Sequence, residues 1–220
     1  MKISILMLTY NAPRYTAKAI LSLKKTETNI PYELIVVDNK SKFRTRRLLN
    51  KLFEKGLIDK LHFNDHNALF AKGNNIASRF AAEDATHYLL LNSDVEVIDP
   101  KWLDKLCELH ETKGISSLGA VMYKPIRADG YCLLIDKELY DRYKLDEQYE
   151  WWWSVTKLES EVLKEGLMIR AVKNHDNLLI HYGGRSGKGY KHAKGMDTDI
   201  KEVVSWFQNS KNSVKILETL

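Results

Sequence analysis

The stretch HYLLLNSDVE, residues 87–96, runs an apolar segment directly into two carboxylates that are two positions apart. A continuous apolar run is typical of a strand that is buried on both faces. Carboxylates just beyond such a strand can face a single divalent cation, because Mg²⁺ and Mn²⁺ prefer carboxylate and phosphate oxygens. The stretch therefore predicts a buried strand followed by a metal site with Asp94 and Glu96 as ligands.

The residues before this stretch alternate between strand and helix patterns. Apolar strand-like runs lie at Ile3–Thr9, Tyr32–Asp38 and Lys60–Asn64. A helical pattern follows each run, the last at Phe70–Phe80. Alternation of this kind implies right-handed crossovers and a mostly parallel sheet. We therefore predict an α/β fold with a Rossmann-like central sheet flanked by helices.

The second half of the chain loses this regular alternation. Its predicted elements are, in order, a helix at Lys101–Lys113, strands at Ile115–Met122 and Tyr131–Asp136, helices at Asp136–Tyr143 and Trp151–Gly166, and strands at Leu167–Val172 and Asn177–His181. The apolar spacing of Met196–Leu217 predicts a final amphipathic helix. We expect one domain over residues 1–195, with the helix in residues 196–220 packed on it or extending from it.

Polar residues end three of the predicted strands. They are Thr9-Tyr10-Asn11, Asp38-Asn39 and Asn92-Ser93-Asp94. Ligands of open parallel sheets bind at the carboxyl ends of the strands. The three groups are therefore expected to meet at one edge of the sheet and to form the ligand site there.

Composition limits the class of protein. The chain has 220 residues, of which 44% are hydrophobic, and a net charge of +5. No apolar run approaches the roughly 20 residues that a membrane-spanning helix needs, so we expect a cytoplasmic protein without a transmembrane segment. The excess positive charge favours an anionic ligand such as a nucleotide diphosphate, a nucleic acid or an acidic membrane surface. No G-x-G-x-x-G follows the first strand, which argues against a dinucleotide-binding dehydrogenase.

Six segments in order resemble family 2 glycosyltransferases of the GT-A fold, and most closely their rhamnosyltransferase-like branch. These segments are Ile5–Asn11, Glu33–Asn39, Asn67–Asn75, Asn92–Glu96, Asp129–Ile135 and His181–Ser186. The resemblance covers about residues 2–186. It implies a GT-A domain that transfers a sugar from a nucleotide-diphosphate sugar donor to an acceptor hydroxyl.

The resemblance also implies a Mn²⁺ or Mg²⁺ cofactor and roles for single residues. The implied metal ligands are Asp94, Glu96 and His181. The implied donor-binding residues are Thr9, Tyr10, Asn11, Asp38, Lys72, Asn75, Ser93, Asp94 and Arg185. Asp129 is expected to orient the transferred sugar or the acceptor.

The chain departs from the family where inverting members carry an acidic pair that supplies the catalytic base. The corresponding residues here are Ser154-Val155. An inverting transfer needs a group that accepts the proton of the acceptor hydroxyl. Among the nearby acids we choose Glu150 first, followed by Asp146, because Glu150 directly precedes an aromatic cluster. These acids also fit a second interpretation, as helix-start residues stabilised by the helix dipole.

The aromatic cluster is Trp151-Trp152-Trp153. Successive helix residues point about 100° apart, so three adjacent indoles cannot all face one core. At least one is therefore expected to be exposed or to line a cleft. We take Trp151, Trp152 and Trp153 as candidate acceptor residues, because an aromatic face can stack on a sugar ring or on an unstacked base. The alternative is that they belong to the core and to a partner surface.

Three functions remain open from the sequence. A glycan acceptor is favoured for the transferase. A hydroxymethylated base in DNA is an alternative acceptor, motivated by the basic segment Lys42–Arg47 and the tryptophans. The third is a non-catalytic module that binds a sugar nucleotide or a nucleic acid, motivated by the missing acidic pair.

Overall fold

The computed structural model describes residues 1–185, 190 and 192–220. Its strands are β1 (Ile3–Thr9), β2 (Tyr32–Asp38), β3 (Lys60–Phe63), β4 (His87–Leu91), β5 (Val95–Val97), β6 (Gly114–Ser117), β7 (Ala120–Val121), β8 (Arg127–Ala128), β9 (Cys132–Asp136), β10 (Met168–Val172), β11 (Leu179–His181) and β12 (Val214–Leu217). Its helices are α1 (Pro13–Leu23), α2 (Phe43–Glu54), α3 (Leu69–Ser78), α4 (Trp102–Leu109), α5 (Lys137–Tyr143), α6 (Trp153–Lys164) and α7 (Ile200–Ser205).

Eight strands form the central sheet, in the order β12-β10-β6-β9-β4-β1-β2-β3. Strand β9 runs antiparallel to its neighbours β4 and β6, and the other neighbouring pairs are parallel. This confirms the predicted α/β fold with a mostly parallel sheet. Two small antiparallel pairs, β5 with β11 and β7 with β8, lie outside the main sheet.

Helices cover both faces of the sheet. The side chains of each central strand point alternately to the two faces, and the residues on both faces are apolar. In β1, Ile5 and Met7 pack into one core with α1, α2 and α4. Leu6 of the same strand packs into the other core with α3, α5 and α6. Full burial of a side chain of this size contributes roughly 1.5–3 kcal/mol. Burial on both faces explains why the sequence of β1 is a continuous apolar run rather than an alternating one.

The single helix predicted for residues 196–220 is wrong in its extent. Helix α7 ends at Ser205, and Asn209 then adopts a left-handed conformation with φ 64°. Strand β12 follows and joins the edge of the central sheet parallel to β10. Val214 and Ile216 flank Lys215 and pack against the core, which is the two-residue period of a strand. The C-terminal segment therefore extends the sheet.

Other boundaries shift by a few residues. The strand predicted at Ile115–Met122 is divided into β6 and β7, and the helix predicted from Trp151 begins at Trp153. Among the residues that the structure describes, no helix is both long enough and apolar enough to cross a membrane.

Candidate active site

The polar ends of β1 and β2 lie side by side at one edge of the sheet. Thr9 is paired with Asp38 in the strand register. The Asn39 N–H donates to the Thr9 carbonyl at 2.9 Å. Asn11 then links the two following loops, because its N–H donates to Ser41 Oγ at 2.8 Å and its Oδ1 accepts the Lys42 N–H at 2.7 Å. These contacts hold the loops that form one wall of a cleft.

This cleft, which we call the basic cleft, has a volume of about 530 Å³. The residues that line it are Tyr10, Asn11, Ala12, Pro13, Arg14, Tyr15, Lys42, Arg44, Gly184 and Arg185. Four of these described residues are cationic and none is acidic. Such a lining attracts phosphate groups. Tyr10, Asn11 and Arg185 were predicted from the sequence, whereas Arg14 and Arg44 were not assigned to the site.

Two residues predicted to bind the donor, Thr9 and Asn75, make hydrogen bonds within the protein. The Thr9 hydroxyl is buried against Thr16 Oγ1 at 2.8 Å. The buried Asn75 amide bonds Leu145, Glu147 and Tyr140, and so joins α3 to the segment after α5. The described contacts of Thr9 and Asn75 are structural, and the donor contacts predicted for these residues stay predictions.

Asp38 and Ser93 are also enclosed. The Asp38 carboxylate accepts the Ser41 N–H at 2.9 Å, and burial raises its pKa above the usual range of a carboxyl. Ser93 is fully buried. Asp38 thus holds the loop that follows β2, and neither Asp38 nor Ser93 is among the described lining residues of the basic cleft.

The side chains of Asp94 and His181 are brought together by the pairing of β5 with β11. His181 lies opposite Val95 in this antiparallel pair. Its Nε2 is 3.5 Å from Asp94 Oδ1, and Asp94 Oδ2 accepts the Arg185 N–H at 2.8 Å. The ring of Tyr131 stacks on His181 with 4.0 Å between the centroids, which fixes the imidazole plane.

Glu96, the third predicted metal ligand, is engaged by other groups. Its Oε2 lies 2.7 Å from Lys18 Nζ and also accepts the hydroxyl of Tyr182. The hydrogen bond from Lys18 lowers the pKa of Glu96. In the structure Glu96 ties α1 to the chain that follows β11, and its role as a metal ligand stays a prediction. Ser186, the last residue of the motif that starts at His181, lies outside the described residues.

The pair of Asp94 and His181 fits a divalent cation. A carboxylate and an imidazole suit Mn²⁺, and neighbouring ligands of an octahedral ion at 2.0–2.1 Å are about 3 Å apart. The observed 3.5 Å between Oδ1 and Nε2 is close to that separation. Asp94 is fully buried, so its charge is poorly hydrated.

A second cavity, of about 360 Å³, adjoins the basic cleft at Gly184. We call it the aromatic pocket. Its described lining residues are Phe70, Asn92, Val121, Tyr123, Arg127, Ala128, Asp129, Gly130, Tyr131, Trp151, Trp152, Val155, Thr156, His181, Gly184 and Tyr190. The rings of Trp151 and Tyr190 are stacked at 4.8 Å.

The side chains of the three adjacent tryptophans do not all have the same surroundings, as expected. Trp151 and Trp152 line the aromatic pocket, and Trp152 is 49% exposed. The Trp153 ring instead packs against the Arg127 guanidinium at 5.2 Å. Two of the three predicted acceptor residues therefore border the pocket, and Trp153 is absent from its described lining.

The predicted acids occupy two different cavities. Asp129 carries the one carboxylate among the described residues of the aromatic pocket. Glu150, Asp146 and Lys72 line a separate cavity of about 420 Å³. There Glu150 Oε2 accepts the Lys194 N–H at 2.7 Å. The structure therefore does not bring Glu150, Asp146 or Lys72 to the aromatic pocket or the basic cleft, and their predicted roles in catalysis and donor binding lose their structural support.

One further acid lies under the pocket. Glu159 on α6 is fully buried, and its Oε2 accepts the Ala128 N–H at 3.0 Å. Burial raises the pKa of its carboxyl well above the usual range. The burial of Glu159 depends on how α6 packs against β8, which the local sequence does not reveal.

The mostly parallel sheet flanked by helices matches the GT-A fold. The model of the family described as "Glycosyl transferase family 2" matches residues 4–165. The chain therefore belongs to glycosyl transferase family 2. No curated protein sequence matches the chain.

Solved structures share the fold. The mannosyltransferase PcManGT from Pyrobaculum calidifontis, in complex with GDP-Man and Mn²⁺, is similar with a TM-score of 0.64 and 17% identity over 81% of this chain and 56% of that chain. S. aureus TarS 1–349 in complex with UDP is similar with a TM-score of 0.58 and 18% identity over 73% and 55%. The chain thus spans about half the length of these proteins, and at such identities the likeness concerns the fold alone.

Proposed function

We propose that the protein is a metal-dependent glycosyltransferase that moves a sugar from a nucleotide-diphosphate sugar to an acceptor hydroxyl. One observation carries this proposal. The pair of Asp94 and His181 lies between the two cavities: His181 lines the aromatic pocket, while Arg185, whose N–H binds Asp94, lines the basic cleft. A diphosphate in the cleft would then place its sugar toward the pocket.

The cleft suits the nucleotide half of the donor. Arg14, Lys42, Arg44 and Arg185 offer positive charge to the diphosphate, and the Tyr10 ring offers an apolar face. The fold relatives whose structures contain GDP-Man or UDP support a donor of this class. A divalent ion held by Asp94 and His181 would supply positive charge to the departing diphosphate.

The aromatic pocket suits the acceptor. Trp151 and Trp152 offer flat apolar faces to a sugar ring. We favour a glycan acceptor over DNA. A nucleic acid is bound through many contacts between basic side chains and phosphates. The described lining of the aromatic pocket offers only two basic side chains, Arg127 and His181, for such contacts. We keep the rhamnosyltransferase-like branch as part of the proposal, since the six sequence segments support it.

We propose Asp129 as the general base. Val155 occupies a position of the family's acidic pair, and Gly130 lies so close to it that a Cβ on Gly130 would be 2.8 Å from Val155 Cγ2. Asp129 therefore borders the place where the family carries its acid. Its main chain is fixed, because its N–H donates to the Gly119 carbonyl at 2.8 Å and its carbonyl accepts Ser117 Oγ at 2.6 Å.

In the proposed reaction the acceptor oxygen attacks the anomeric carbon while the bond from that carbon to the diphosphate oxygen breaks. The acceptor proton moves to Asp129 Oδ, and the electron pair of the broken bond leaves with the nucleoside diphosphate. A single displacement of this kind inverts the anomeric configuration. The products are the glycoside and the nucleoside diphosphate.

The test is release of nucleoside diphosphate from a panel of nucleotide-sugar donors, with Mn²⁺ and with candidate glycans. Release that needs both the metal and a glycan supports the transferase. Donor binding without release or transfer, across the donors and acceptors tried, supports the non-catalytic module. Transfer to hydroxymethylated DNA and to no glycan would move the acceptor to DNA.

A further inference from the structure

Two histidines and an aspartate meet at the ends of the central strands that lie opposite the candidate active site. His87 begins β4, Asp136 ends β9, and the two are direct partners in the strand register. His110 follows the end of α4. Asp94 comes after the other end of β4, and a five-residue strand spans about 16 Å at 3.3 Å per residue. This cluster is therefore separate from the candidate active site.

The ring nitrogens of both histidines face the same carboxylate. His110 Nε2 is 3.2 Å from Asp136 Oδ2, and His87 Nε2 is 3.6 Å from Asp136 Oδ1. One ligand atom from each of the three residues lies within 4.8 Å of the other two. The side chain of His110 is buried, whereas those of His87 and Asp136 are 13% and 20% exposed. The cluster thus opens to solvent on one side.

Hydroxyl groups hold the other nitrogen of each ring. His87 Nδ1 lies 2.7 Å from Thr86 Oγ1, and His110 Nδ1 lies 3.0 Å from Ser116 Oγ. Outer partners of this kind fix the orientation and tautomer of metal-binding histidines. The Asp136 carboxylate is positioned in a similar way, because its Oδ2 accepts the Gly114 N–H at 2.8 Å.

The hydrogen bonds of Thr86 indicate the tautomer of His87. The Thr86 hydroxyl accepts the Lys2 N–H at 2.9 Å and can donate its proton to the Lys2 carbonyl at 3.1 Å. In this arrangement His87 Nδ1 donates to Thr86, and the lone pair of Nε2 points toward the Asp136 oxygen. A proton or a metal ion between two such acceptors would bind both of them.

We propose that His87, His110 and Asp136 form a site for a transition-metal ion, with Zn²⁺ as the best match. Two imidazoles and one carboxylate favour Zn²⁺ over Mg²⁺ or Mn²⁺. Ligands of a tetrahedral zinc ion at 2.0–2.1 Å are about 3.4 Å apart, and the observed separations of 3.2 and 3.6 Å lie on either side of that value. Water would occupy the fourth position on the open side. The ion would join the start of β4, the end of α4 and the junction of β9 with α5.

The experiment uses the full chain after treatment with a chelator. Zn²⁺, and Co²⁺ as a visible-absorption probe, are titrated into the wild type and into variants, with calorimetry for zinc stoichiometry. We expect one zinc per chain at this cluster at micromolar concentration, retained when Asp94→Asn removes the other proposed divalent site, and a tetrahedral Co²⁺ spectrum that Zn²⁺ removes. His87→Gln should weaken zinc binding by more than about tenfold, because it removes one of the three protein ligands. His87 is chosen because it is more exposed than His110.

Two control variants distinguish zinc binding at this cluster from zinc binding elsewhere on the chain. Asp94→Asn should keep the zinc affinity, since Asp94 lies at the other edge, and His192→Gln removes an exposed histidine outside the cluster. Because His87→Gln could disturb the fold, its melting temperature in chelator is compared with that of the wild type, and His110→Gln gives a second ligand variant. No zinc binding by the wild type, unchanged binding in both ligand variants, or loss of binding in Asp94→Asn would overturn the proposal.

Discussion

Replacement of Asp129 by Asn tests which residue is the general base. The structure favours Asp129, whereas the sequence favoured Glu150. The substitution keeps the size of the side chain and removes its ability to accept a proton. Asp129 lines the aromatic pocket with His181, whereas Glu150 lines a different cavity and accepts the Lys194 N–H. The carbonyl oxygen of a glutamine at 150 can still accept that hydrogen bond, so Glu150→Gln is a matched control.

The expected magnitude follows from the role. General-base catalysis contributes about 10²- to 10⁴-fold to a rate, which corresponds to roughly 3–5 kcal/mol of transition-state free energy. Asp129→Asn should therefore lower kcat by at least about a hundredfold. Donor affinity should change little, because Asp129 does not line the basic cleft. Glu150→Gln should stay within about twofold of the wild type, since its side chain faces away from the reacting groups.

The assay measures nucleoside diphosphate release at saturating donor and Mn²⁺, with donor affinity measured separately by calorimetry. Circular dichroism and the melting temperature establish that each variant is folded. A wild-type rate in Asp129→Asn together with a hundredfold loss in Glu150→Gln would refute the assignment and restore Glu150 as the base.

Three further outcomes are expected. Trp151→Ala should raise the KM for the acceptor by about fivefold without changing donor affinity, because an aromatic stack of about 1 kcal/mol is lost from the pocket; steady-state kinetics with each substrate varied will measure this. Asn75→Ala should lower the free energy of unfolding by about 3 kcal/mol in urea titrations, since buried partners lose their hydrogen bonds. The buried Glu159 has a raised pKa when folded, so stability should fall by up to about 1.4 kcal/mol per pH unit as the pH rises from the unfolded pKa, about 4.3, toward the folded value. Glu159→Gln should remove that slope, and an unchanged slope would show that Glu159 does not cause it.

Local patterns predicted the central strands well. The apolar runs of β1 and β2 are long, are buried on both faces and end at polar residues, so their bounds could be predicted from the sequence alone. The C-terminal strand could not, because β12 has four residues and its place depends on pairing with β10, which lies far away in the chain.

The candidate site was predictable where a residue lies a few positions beyond the end of a strand. Asp94 met this condition, and the resemblance supplied His181, although their proximity depends on the antiparallel pairing of β5 with β11. The position of Glu150 was harder to predict. Glu150 is next to Trp151 in the sequence, but its carbonyl binds the first turn of α3 while its side chain turns toward Lys194. Neighbours in sequence thus face different cavities.

Asn75 shows a further limit of motif reading. The motif marks the residue as important, and the structure confirms that its side chain is fully engaged. Its partners belong to α5 and the segment after it, however, and not to the basic cleft. A sequence motif records which residue is needed, but the packing of α3 decides whether that residue binds a ligand or holds a loop.

The central claim is that Asp94 and His181 hold a divalent ion that binds the donor diphosphate, and a thermal-shift measurement tests it most directly. Wild type, Asp94→Asn and a charge-matched control, the exposed Asp84→Asn, are melted with common nucleotide-diphosphate sugars, with and without Mn²⁺. A donor at a hundred times its Kd stabilises the folded state by about 2.7 kcal/mol, or roughly 5–10 °C for a chain of this size.

We predict that one donor class produces this shift only with Mn²⁺, that Asp84→Asn retains it, and that Asp94→Asn loses it while its melting temperature without ligand shows a folded protein. An equal shift in Asp94→Asn, or a donor shift that does not depend on the metal, would contradict the account.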